Sequence, residues 1–167
     1  MRLILMRHAK SDWSTEMDDR DRPLNKRGRK SARAMGAWLR DRGYLPDLVL
    51  CSTAARTRET LEGLGLGEEV PVRYLDALYH AAPETLWDCL AEAEGNTVLM
   101  IGHNPGIAAF AADLVAVPPP HARFADFPTG ATLVAEVFAA NWDAVAPGAC
   151  TAADFAIPRE VMAETGD

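Results

Sequence analysis

Three short, uninterrupted apolar runs at residues 3–6 (LILM), 48–51 (LVLC) and 98–101 (VLMI) constrain the fold of this chain more than any other feature. A strand with one wet face alternates apolar and polar side chains. A continuous run of four suits a strand covered on both faces, the usual condition in a parallel sheet. Helical spacing falls between and after these runs. Ala32, Met35, Gly36 and Leu39 sit at i, i+3, i+4 and i+7, with Gly43 placed to close the helix. Leu86, Cys89, Leu90 and Ala93 repeat the spacing after Pro83, which suits a first helical turn. Ile107, Phe110, Ala111 and Leu114 repeat it after Pro105. Strands alternating with helices predict a three-layer α/β/α sandwich around a mostly parallel central sheet. After a proline-rich loop at 117–120, alternation over 132–138 predicts a strand nearer the sheet edge, antiparallel and paired with 152–157. Thr132, Val134 and Glu136 are expected to form its more polar face. No internal repeat or linker interrupts the chain, so one domain over 1–167 is expected.

Each of the three runs leads straight into unusual residues. The first ends in Arg7 and His8, the second in Ser52 and then Arg56, and the third in Gly102, His103, Asn104 and Pro105. In an open α/β sheet ligands gather at the carboxyl ends of the strands. Parallel neighbours would therefore bring two arginines and two histidines to one rim. That set suits a phosphoryl group, whose transition state spreads charge over three equatorial oxygens and is stabilised mainly by positioned positive charge. Arg7 and Arg56 offer forked, permanently charged donors. A histidine with an ordinary pKa near 6.5 is largely neutral at pH 7, so one ring nitrogen keeps a lone pair if a carbonyl pins the other. His8 is the expected nucleophile. His103 is expected to be protonated by a bound dianion and to act as a further cationic donor.

Charge supports an anionic ligand and argues against nucleic acid as a general partner. The chain carries a formal charge of -7, yet residues 1–60 hold 14 Lys and Arg against 8 Asp and Glu, and the remainder 3 against 16. Lys26, Arg27, Arg29, Lys30 and Arg33 are read as the solvated face of a helix rather than as that site. Composition is that of a globular chain, 49% hydrophobic and 25% charged. No stretch approaches a membrane span or a signal peptide, so a cytoplasmic protein without a membrane partner is expected. Cys51, Cys89 and Cys150 are scattered and unpaired in pattern, which predicts buried free thiols and no metal site. Neither a GxxxxGK[ST] loop nor a GxGxxG turn is present, and no cofactor is implied. A metal-dependent hydrolase is disfavoured because no HxxEH-like spacing occurs and two arginines would repel a divalent cation. Trp13 and Trp38 are read as packing residues.

With these residues in place, the sequence resembles the histidine phosphatase superfamily, with its phosphoglycerate mutase-like fold, and within it the SixA-type phosphohistidine phosphatase branch. Arg7-His8-Ala9 resembles the family's Arg-His-Gly signature, and Asp21 through Gly28 its D-x-P-L-T-x-x-G segment. Ser52 through Thr60 resembles S-x-x-x-R-x-x-x-T, and Gly102-His103 the second Gly-His. The resemblance implies a phosphorylated nucleophile at His8 in a pocket of Arg7, Arg56 and His103. Substrate contacts are expected from Lys10 and Ser11, from Ser14 where many relatives have Asn, and from Asn25 where Thr is usual. The leaving-group acid of many relatives, a Glu shortly after a Leu, is replaced in Leu78-Tyr79-His80, leaving His80, Asp76 and Glu84 as candidates. A leaving imidazole needs less help from an acid than an alkoxide does. The expected partner is therefore a phosphorylated protein, phosphohistidine above all, or else a small phosphorylated metabolite, acted on by a monomer or weak oligomer. The competing reading is a phosphate-binding regulatory module with little catalysis.

Overall fold

The computed structural model describes residues 1–166. Its strands are β1 (Arg2–Arg7), β2 (Leu48–Ser52), β3 (Val72–Leu75), β4 (Thr97–Gly102), β5 (Thr132–Val137) and β6 (Cys150–Ala156). Its helices are α1 (Lys26–Asp41), α2 (Ala55–Leu64), α3 (Pro83–Ala91), α4 (Gly106–Leu114) and α5 (Pro158–Thr165). The six strands form one sheet in the order β3-β2-β4-β1-β5-β6. From β3 to β1 every neighbour is parallel, whereas β5 runs antiparallel to both β1 and β6. This is the α/β/α, phosphoglycerate mutase-like architecture expected from the sequence.

Both faces of the central strands are covered, which is why the apolar runs lack alternation. Leu3, Leu5, Leu50, Val98 and Met100 pack on one side with Leu86 and Leu90 of α3 and Phe110 of α4. Ile4, Met6, Val49, Leu99 and Ile101 pack on the other with Met35 and Leu39 of α1, Leu64 of α2 and Val161 of α5. Burying each such side chain contributes about 1.5–3 kcal/mol before the ordering entropy is subtracted. The helix ends follow local chemistry. Asn25 caps α1, its side chain accepting from the Gly28 N–H at 2.8 Å. At the far end Gly43 is left-handed (φ 72°), letting its N–H reach the Arg40 carbonyl while Tyr44 N–H reaches Leu39. Pro83 opens α3, where the missing donor costs nothing.

Two expectations need correction, the polar face of β5 and the burial of all three cysteines. The face of β5 carrying Thr132 and Val134 is buried, because α5 packs over it through Val161. The pairing of β5 with its partner is antiparallel as expected, with a register shift at Val134/Ala135 that a sequence pattern does not show. Cys51 and Cys150 are buried free thiols, and Cys89 is half-buried. No helix among the described residues is long and apolar enough to cross a membrane.

Candidate active site

The carboxyl ends of β1, β2 and β4 open into one cleft of about 330 Å³. His8 follows directly on β1, and its N–H donates to the Gly102 carbonyl at 3.1 Å, tying the turn to the end of β4. The ring is anchored by Nδ1, 2.7 Å from the Ala9 carbonyl. A carbonyl only accepts, so Nδ1 carries the proton and Nε2 the lone pair. Burial holds the His8 pKa down to about 3 against that hydrogen bond, and the positive charges of Arg56, Arg7 and Arg22 push in the same direction as burial. The imidazole is therefore neutral at pH 7.

The neighbouring turn is locked to α2 through Thr60. Ala9 N–H donates to Thr60 Oγ1 at 2.9 Å, and the Thr60 hydroxyl donates to the Arg56 carbonyl at 2.6 Å. Thr57 fastens the start of the same helix to the end of β2, donating to Ser52 O at 2.7 Å. Arg56 is thereby held with only 1% of its surface exposed. The Ser52 hydroxyl lies 2.8 Å from His103 Nε2, and the His8 and His103 ring centroids are 5.3 Å apart. In this structure His103 is neutral, its pKa pressed to about 2 by burial first and then by His8, Arg56 and His80. Arg7 lines the same cleft, with Nη1 donating to Phe127 O at 3.3 Å.

Asp19, Arg22, Tyr79 and Thr129 were not anticipated from the sequence. Asp19 sits on the 3-10 turn Asp19–Asp21, and its carboxylate is shared among several cleft residues. Oδ2 accepts from Arg56 Nη2 at 3.0 Å and from the Tyr79 hydroxyl, and His80 Nε2 lies 3.0 Å away. Oδ1 accepts from Arg22 Nη2 at 3.0 Å, and the Asp19 carbonyl accepts from Arg56 Nη1 at 2.6 Å. The Tyr79 hydrogen bond, followed by those from His80, Arg22 and Arg56, holds the Asp19 carboxyl well below the usual carboxylate range. Arg22 belongs to the motif-bearing segment Asp21 through Gly28, the one available signal for it. It also donates to Ser11 Oγ and stacks 3.7 Å from the Trp13 ring centroid.

The expected substrate contacts divide. Lys10 and Ser11 line the cleft, whereas Ser14 does not: its N–H and hydroxyl both bind Asp12 Oδ1. Asn25 is spent on the cap of α1. Of the acid candidates only His80 lies in the cleft. Asp76 is turned to Thr53 and Arg20, at 2.6 and 3.0 Å, and Glu84 stands in the first turn of α3. Trp13 corrects the packing expectation, being 77% exposed on the cleft wall, while Trp38 is buried in α1. Among the described residues no group of three or more His, Cys, Asp or Glu gathers as metal ligands.

A sequence model of the histidine phosphatase superfamily (branch 1) matches residues 3–83. An uncharacterised protein of Mycobacterium tuberculosis strain H37Rv is 39% identical over 161 residues, covering 92% of this chain and all of that protein. A structure from Nakamurella multipartitia, provisionally assigned as the phosphohistidine phosphatase SixA, superposes with a TM-score of 0.81 at 34% identity, over 94% of this chain and 95% of that one. The chain belongs to the histidine phosphatase superfamily. A second member with the same provisional SixA assignment, from Agrobacterium tumefaciens, gives a TM-score of 0.78 at 31% identity over 94% and 97% of the two chains. Within the superfamily the chain is of SixA type.

Proposed function

We propose that this protein hydrolyses a phosphoryl group carried on a protein side chain, phosphohistidine above all, through a covalent intermediate on His8. The observation that carries this reading is the His8 ring itself, held by Nδ1 on the Ala9 carbonyl with Nε2 unprotonated among three arginines. Nε2 attacks phosphorus, the new N–P bond forms as the bond to the substrate's ring nitrogen breaks, and the departing imidazole takes up a proton. Water then attacks the phosphohistidine, releasing inorganic phosphate and the free imidazole. Arg7, Arg22 and Arg56 supply charge to the equatorial oxygens in both steps. A bound dianion also opposes the burial that keeps His103 neutral, converting it into a donor in the complex.

The choice of a labile substrate rests on the proton inventory. Asp19, the carboxyl within the cleft, is held ionised and has no proton to give at neutral pH. Of the acid candidates His80 alone faces the cleft, its side chain half exposed and its Nε2 3.0 Å from Asp19 Oδ2. Such a site favours leaving groups that need little protonation in the transition state. Positive charge comes from fixed side chains, so chelators are expected to leave turnover unchanged.

The test is a substrate panel of a phosphohistidine peptide, an alkyl phosphate and an aryl phosphate, with His8→Ala as control. The phosphohistidine peptide is expected to give the highest kcat/KM, lost in the variant. Fast alkyl ester hydrolysis with negligible phosphohistidine turnover would overturn the substrate assignment. Binding of all three with no turnover of any would favour the regulatory module instead.

A further inference from the structure

A second cavity of about 210 Å³ adjoins the cleft and shares Lys10 and Thr129 with it. Lys10, Arg27, Arg123 and Arg159 line it, and no carboxylate does. Residues 61–167 contain only three basic residues, Arg73, Arg123 and Arg159, against 16 acidic ones. Two of those three line this cavity. They arrive from different elements, Arg27 from the first turn of α1, Arg159 from the first turn of α5 and Arg123 from the loop before β5. Lys10, Arg27 and Arg159 form no ion pair with any described residue, and Arg123 alone is compensated, by Asp126 at 2.9 Å. Glu160, next in sequence to Arg159, is occupied with His121 at 2.9 Å.

Bringing like charges from separate elements to one concavity is unfavourable unless an anion spends time there. The N-terminal turn of α5 adds its partial positive charge on the same side. We infer that this cavity is a second oxyanion subsite, which binds a carboxylate or phosphate of the same substrate whose phosphoryl group lies at His8. The inference rests on the proposed phosphatase reading for the second group's position, but not for the existence of the subsite. Two sources fit its chemistry: acidic side chains flanking a phosphohistidine, or a second phosphate on a small molecule.

The experiment uses two matched pairs of probes: phosphohistidine peptides flanked by glutamates or by glutamines, and phosphate esters with or without a second phosphate. Each is assayed with the wild type and with an Arg27→Gln/Arg159→Gln double variant, whose changes are at exposed positions outside the cleft. The wild type is expected to prefer the more anionic member of one pair by about threefold to tenfold in kcat/KM, declining with salt. The double variant should lose that preference and keep its turnover of the less anionic member. A peptide preference identifies the polypeptide source, an ester preference the small-molecule source. No preference in either pair, or one that survives in the double variant, overturns the subsite. Titrating the same probes into His8→Ala protein, with and without the two arginine changes, separates the claims: if the wild type turns over none of them the proposed function fails, while tighter, arginine-dependent binding of one anionic member still supports the subsite and its absence still overturns it.

Discussion

Asp19 binds three of the cleft's polar side chains, Arg22, Arg56 and His80, and its charge acts in two opposing ways. It anchors the guanidinium of Arg56 and the ring of His80, and it is also an anion standing among the groups that would grip phosphate. Asp19→Asn is expected to lower kcat about tenfold, the cost of one charge-assisted hydrogen bond, while inorganic phosphate inhibits more tightly. Steady-state kinetics with phosphate as product inhibitor check both effects, and unchanged values for both would contradict the assignment. The two buried histidines make a separate prediction about stability. Their folded pKa values, about 3 for His8 and about 2 for His103, lie below the ordinary 6.5, so between those values the unfolded chain binds protons that the native one does not. Stability is therefore full above pH 6.5 and falls as pH drops, by about 1.4 kcal/mol per unit for each histidine. Denaturant unfolding between pH 7 and 4.5, above the range where the depressed carboxylates titrate, should show this slope, and His103→Gln should reduce it. His8 and His103 were legible in the sequence because each directly follows a buried strand. Asp19 and Tyr79 were not, since they reach the cleft from a 3-10 turn and a loop that carry no periodic signal. Ser14 misled for the converse reason: closeness in sequence to His8 does not outweigh the hydrogen bonds that Asp12 offers it.

Between the elements, the site depends on how closely α1 and α2 approach the turn that bears His8. Gly28 shows this for α1, where a Cβ would stand 2.0 Å from the Lys10 carbonyl oxygen, a backbone atom that cannot swing aside. Gly28→Ala should push α1 from the turn, lowering both the melting temperature and kcat/KM, whereas an exposed helical change such as Lys30→Ala should move neither. Thr60→Val tests the link to α2. It leaves the buried Ala9 N–H without an acceptor, at a cost of about 1–3 kcal/mol, read as a lower denaturant midpoint at unchanged slope. Legibility at this scale followed burial. β1, β2 and β4 were read from runs buried on both faces, but β3, the short edge strand VRYL, is half exposed and gave no run. α5 has eight residues, too few to fix a helical period, so the cover it gives the more polar face of β5 was not legible.

At the scale of the whole molecule, the order β3-β2-β4-β1 sets β2, β4 and β1 side by side, so that Ser52, His103 and His8 emerge together at one rim. An acidic chain thus sets seven of its 17 Lys and Arg around a cleft and an adjoining cavity. At the centre of this rim stands the proposed covalent catalysis by His8. Its most direct test is rapid mixing with a phosphoryl donor labelled on phosphorus, quenching in alkaline denaturant because the N–P bond is acid-labile, and peptide mapping by mass spectrometry. Label is expected on the peptide containing His8, formed and lost at rates compatible with turnover, and absent in His8→Ala. Turnover without any labelled His8, or label on another residue, would contradict it.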